Sequence, residues 1–98
     1  MNDEYISLFV GEVRAIELTV RDQDDVDFIP DGVSVTIKDF DAVDIITDQV
    51  AVINTNRIST LITTEVSSVA GIYFIIWKIT KEEAIYYHKT IINIREII

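Results

Sequence analysis

Gly71-Ile72-Tyr73-Phe74-Ile75-Ile76-Trp77-Lys78-Ile79 is the stretch whose reading decides the fold. Nine residues led by glycine and filled with β-branched and aromatic side chains spell one long strand. The next four, Thr80-Lys81-Glu82-Glu83, are polar and of hairpin-loop length, and Ala84 to Ile94 supplies a return strand. With Thr80 to Glu83 as the loop, Ile79 pairs with Ala84, Trp77 with Tyr86, Ile75 with His88 and Tyr73 with Thr90 on one face. Lys78 then opposes Ile85, Ile76 opposes Tyr87, Phe74 opposes Lys89 and Ile72 opposes Ile91, because alternate strand residues point to opposite sides. Both faces are therefore apolar, although a two-layer sandwich needs only one apolar face per sheet.

That excess requires a cover for Ile72, Phe74, Ile76, Tyr87 and Ile91. Either a loop or the N-terminal strand folds over them, or they form an interface with another protein, for which clustered Tyr, Phe and Ile on an open face are characteristic. The tail Asn93-Ile94-Arg95-Glu96-Ile97-Ile98 adds two apolar residues, Ile97 and Ile98, to the candidate interface.

Outward from the hairpin, Ala15 to Arg21 alternates, with Ile16, Leu18 and Val20 on one side and Glu17, Thr19 and Arg21 on the other. Val33-Ser34-Val35-Thr36-Ile37-Lys38 repeats the pattern, so both stretches read as half-buried strands. Tyr5 to Val10, closed by Gly11, and Arg57 to Thr64 add one strand each, and Ile45 to Ile53 adds one or two more. Ile29-Pro30-Asp31-Gly32 has the proline and glycine placement of a type I turn, Asp39 to Asp44 is a further turn, and Glu65 to Ala70 connects to the hairpin. About seven strands, no helix and turn signals every 8–12 residues describe an antiparallel β-sandwich, with a small barrel as the competing closure.

The 98 residues form a single domain, 1–98, expected to bury about 60–65% of its unfolded surface. The absence of cysteine excludes disulfides and thiolate metal sites. The acidic start, Met1 to Tyr5, is not a signal peptide, and no apolar run approaches membrane-spanning length, so the product is expected to be soluble and made in a cytoplasm. Eight basic against seventeen acidic residues give a net charge of −9, which argues against nucleic acid as a partner. Nine aspartates lie between Asp22 and Asp48 with only Lys38 among them, which marks loops.

The chemistry available for catalysis is thin. His88 is the only histidine, so no two-histidine metal site exists, and mid-strand beside Tyr87 it reads as a structural residue. The carboxylates fall in no catalytic motif, and a sandwich of this size offers little depth for a small-molecule substrate. Asp22 to Asp27 fails the EF-hand pattern, with Val26 at the fifth position, Asp27 at the sixth and Val33 at the twelfth. A looser calcium site joining this loop to Asp39, Asp41 or Asp44 stays open beside the default of a solvated acidic loop. No glycine-rich phosphate loop is present, so no cofactor is expected.

Ala70-Gly71-Ile72-Tyr73-Phe74-Ile75 resembles the immunoglobulin segment in which Gly-x-Tyr-x-Cys opens strand F, with Ile75 in the cysteine position. The resemblance makes Tyr73 a corner tyrosine whose hydroxyl bonds to backbone upstream. Trp77 lies on F rather than on C, and the cysteine pair is missing, so only the wider immunoglobulin-like sandwich class is implied. The layout as a whole is similar to small immunoglobulin-like structural proteins and modules of tailed bacteriophages. It shares a strand ending in an acidic loop (Val20 to Asp27), Pro30-Asp31-Gly32, the Val33 to Ile37 strand, and Gly71, Tyr73 and Trp77 before a polar hairpin. This resemblance implies a non-enzymatic virion component of capsid, neck or tail, binding other virion subunits or copies of itself. The competing expectation is a carbohydrate-binding or adhesion module, with calcium at the aspartate loop.

Overall fold

The computed structural model describes residues 4–22 and 24–97, which form eight strands and one helical turn. The alternating stretches become β2 (Arg14–Thr19) and β3 (Gly32–Asp39), and the deciding stretch becomes β7 (Gly71–Lys81), followed by β8 (Ala84–Arg95). Around them lie β1 (Glu4–Phe9), β4 (Asp44–Val50), β5 (Val52–Asn54) and β6 (Arg57–Ile62). One sheet has the order β1-β8-β7-β3-β4 and the other β2-β6-β5. The apolar half of each alternation faces inward, so Val35, Ile37, Ile75 and Trp77 of the large sheet meet Ile16, Leu18, Ile58 and Ile62 of the small one in one core.

Trp77 is the largest side chain in that core and is fully buried. Its indole N–H donates to the hydroxyl of Thr90 at 3.0 Å, which removes the penalty a buried donor otherwise carries. Thr90 is also completely buried and sits diagonally across the β7–β8 pair.

Four features depart from the sequence reading. The hairpin turn is Glu82-Glu83 alone, so the register slides by two residues: Ile79 faces Tyr86, Trp77 faces His88, Ile75 faces Thr90 and Tyr73 faces Ile92. The polar Thr80 and Lys81 continue the ladder, adding two rungs. The turn is anchored by the Glu82 N–H donating to Asp31 Oδ2 at 2.6 Å, with Glu82 itself at φ 55°. A slide of two preserves side-chain parity, so the face assignments stand.

The second departure is β1, which pairs parallel with β8, making the large sheet mixed rather than antiparallel. The third is Ile45 to Ile53, which splits between the sheets: Ala51 is buried at the crossing, and its N–H donates to the Val33 carbonyl. The fourth is a helical turn α1 (Thr64–Ser67), which takes the last residue of the predicted Arg57 to Thr64 strand and the first part of the predicted connection. Val66 plugs the core there, and the Ser67 hydroxyl donates to the Glu12 carbonyl at 2.8 Å. The Ile29 to Gly32 stretch bends at Asp31, whose N–H donates to the Thr80 carbonyl, fastening this loop to the hairpin.

Candidate functional site

The large sheet has a second face, turned away from the small sheet, and pairing across four strands sets out its rows. Tyr5, Ile91, Phe74 and Lys38 lie side by side on β1, β8, β7 and β3. Lys89, Ile76 and Thr36 form the next row, Tyr87, Lys78 and Ser34 the one beyond it, and Ser7, Asn93 and Ile72 flank the first on its other side. β1 extends the edge of this sheet and does not fold over it. The N-terminal strand is therefore no cover for the face.

One side chain does lean in. Phe40, from the turn between β3 and β4, stacks on Phe74 with ring centroids 6.5 Å apart and remains largely exposed itself. Lys89 lies over the same Phe74 ring, 5.4 Å from its centroid. Beneath this cluster Ile72, Phe74 and Ile76 are half-buried, and Tyr87 is exposed.

Ile91 departs from the expectation of an open contact residue. It is only 8% exposed because its neighbours in the rows close over it, although it stands outside the inner core. Ile97 is exposed beyond the end of β8, and Ile98 lies outside the described residues. Sequence reasoning missed Tyr5, Phe9 and Phe40, all exposed. The first two were visible as alternate residues of the first strand, and only the parallel pairing with β8 carries them onto this face.

The aspartate loops have an internal occupation. Asp22 Oδ1 accepts the N–H groups of Asp24 and Val26 at 2.9 and 3.0 Å, and Asp39 Oδ1 accepts those of Asp41 and Val43 at the same distances. Both turns place a residue in left-handed backbone at their fourth position, Asp25 at φ 62° and Ala42 at φ 64°. The turns that Asp22 and Asp39 cap are thus two copies of one Asx-type turn. One precedes β3 and the other follows it, with the strand itself about 23 Å long at about 3.3 Å per residue, and the structure does not gather them into the composite calcium site. Among the described residues no three carboxylates or histidines gather as metal ligands.

Arg21 ties the first loop down, its Nε donating to Asp27 Oδ1 at 2.9 Å. That hydrogen bond, with the nearby charge of Asp25, raises the guanidinium pKa. His88 is half-buried opposite Trp77 on the inner face, as part of the strand ladder. No helix among the described residues is long and apolar enough to cross a membrane.

The residue that decides the fold class is Tyr73. Its side chain is buried, and its hydroxyl donates to the Val69 carbonyl, four residues upstream, at 2.7 Å. This is the tyrosine corner expected at the start of strand F. The fold is immunoglobulin-like. β7 and β8 then correspond to strands F and G, β3 and β4 to C and C′, and β2, β6 and β5 to B, E and D. Burial raises the Tyr73 hydroxyl pKa, with the charge of Asp39 as a second cause.

Comparison with known proteins agrees on the fold and adds nothing on activity. A chimeric titin Z1Z2 functionalized with a KLER exogenous peptide from decorin superimposes with a TM-score of 0.55 at 10% sequence identity. The match covers 96% of this chain and 88% of that one. No family model and no curated protein matches the chain.

Proposed function

We propose that the chain is a non-enzymatic structural domain that docks onto other protein subunits through the outer face of its large sheet. The setting we propose is a tailed-bacteriophage particle, made in the host cytoplasm and incorporated at the capsid, neck or tail. One observation carries the docking reading: Phe74, Ile72 and Ile76 are only half-buried on a face edged by exposed Tyr5, Phe40 and Tyr87, and among the described residues no second layer lies above them. The phage setting rests on the sequence resemblance alone. A small domain with such a face gains stability by assembly, since a partner that binds only the folded state adds to it by mass action. Asp22 and Asp39 accept the backbone donors of their own turns, and His88 stands on the inner side of β8 opposite Trp77, so none of the three stands on the docking face.

The experiment is size exclusion with light scattering, on the purified chain and on mixtures with the products of the genes flanking its own. The reading expects a stable complex in at least one sample and its loss in the double variant Phe74→Lys, Ile76→Glu with far-UV circular dichroism unchanged. A chain that stays monomeric in every mixture, or that binds a glycan array through Tyr5 and Tyr87, overturns it. Unfolding of the variant would assign the face to the core and remove the argument.

A further inference from the structure

Among the residues whose side chains are described, the outer face carries charge opposite to that of the chain as a whole. Of eight basic residues, Lys38, Lys78, Lys89 and Arg95 lie on it, and all four fall on the same side of their strands by register. Among the residues whose side chains are described, β1, β3, β7 and β8 place no carboxylate there. Only β4, at the rim, brings acidic groups: Asp44, held by Lys38 at 2.6 Å, and Asp48. Along those four strands the described side chains are thus basic where the chain as a whole, with seventeen carboxylates, is acidic.

We infer that the partner presents an acidic, apolar protein surface to this face. The inference rests on the docking reading and names the chemistry of what docks. A second copy applied face to face would set the same four cations against one another, and like charges brought together at an interface repel and select against the pairing. An acidic surface instead meets Lys78, Lys89 and Arg95 while its apolar side chains cover Ile72, Phe74 and Ile76. Nucleic acid shares the sign but not the shape. Asp22 to Asp31 with Glu82 and Glu83 stand at one end of the strands and Asp39 to Asp44 at the other, so an extended polyanion crossing the face along them meets repulsion at both ends. A compact surface sized to the middle of the sheet avoids both.

The test is NMR titration of the isotopically labelled full chain with a 4:1 glutamate–tyrosine copolymer, a 4:1 lysine–tyrosine copolymer and a twenty-nucleotide oligothymidine. The expected result is shift changes from the glutamate copolymer centred on Ile76, Lys78, Tyr87 and Lys89. Binding should weaken about tenfold between 50 and 500 mM salt as screening shortens, and be lost in Lys78→Glu with Lys89→Glu. Because Lys89 packs on Phe74, the neutral pair Lys78→Gln with Lys89→Gln serves as a second variant and should lose most of the same binding. The lysine copolymer should shift the aspartate loops only. Equal binding of the two copolymers on the β7–β8 face overturns the acidic preference while leaving the docking reading standing. Silence of this face towards the glutamate copolymer, or tighter binding of the oligothymidine there, overturns the inference, and the flanking-gene mixtures test the docking reading separately.

Discussion

Replacing Thr90 by valine isolates the polar link at the centre of the core. Valine matches threonine in shape and favours a strand at least as well, so volume and propensity oppose any loss. What disappears is the acceptor for the Trp77 indole, 3.0 Å away and out of reach of water. A buried donor left unsatisfied costs about 1–3 kcal/mol, so Thr90→Val should destabilise by about 2 kcal/mol. At about 4–8 °C per kcal/mol for a domain of this size, Tm should fall by about 10 °C. Trp77→Phe leaves a partly collapsed cavity and costs about 2 kcal/mol on its own. In that background no indole remains to be orphaned, and Thr90→Val should then change stability by less than about 0.5 kcal/mol. The coupling, about 1.5 kcal/mol, is read from urea denaturation of the four proteins followed by circular dichroism, with unchanged m-values as the check on two-state behaviour. A Thr90→Val cost that is the same with and without the indole would refute the reasoning.

Three further outcomes are expected. Tyr73→Phe removes the corner bond to Val69 and should cost about 1–2 kcal/mol in chemical denaturation. Because the folded pKa of Tyr73 is raised, its contribution is complete below the unfolded value of about 10 and is lost as pH rises through the folded one. The wild type should therefore lose stability in alkali more steeply than Tyr73→Phe, measured as Tm against pH. Asp22→Ala and Asp39→Ala should each cost about 1 kcal/mol and Asn replacements less, since an amide oxygen still accepts the two backbone donors; a large Tm rise on adding calcium would contradict that structural role. Glu82→Gly should raise stability by about 0.5 kcal/mol, because glycine relieves the left-handed backbone at φ 55° while the N–H to Asp31 is kept.

Alternation was the most legible signal. Ile16, Leu18 and Val20, then Val33, Val35 and Ile37, reach the core as their spacing requires, and the glycine–tyrosine pair at Gly71 and Tyr73 announces its own corner. Hairpin register was not legible. Thr80 and Lys81 are polar enough to be loop, and only the capture of the Glu82 N–H by Asp31, fifty-one residues away, makes them strand. Long-range pairing hid β1 in the same way, since nothing in Tyr5 to Val10 says that its partner is β8 and runs parallel to it. The transfer between sheets at Ala51 has no residue signature either, as a small buried side chain there is compatible with a continuous strand. On the candidate face, the apolar set was readable from period two. Its basic rim was equally readable from Lys78, Lys89 and Arg95, yet a net charge of −9 averages that asymmetry away.

The parallel pairing of β1 with β8 also bears on how the domain answers mechanical load. When a chain is drawn out from both ends, two parallel terminal strands are pulled in opposite senses along their own length. The rungs from Glu4–Thr90 to Phe9–Arg95 are then strained together, in shear, and must give way together. An antiparallel terminal pair would be peeled open rung by rung, with little resistance at any instant. The geometry thus makes this sheet edge a clamp across the domain.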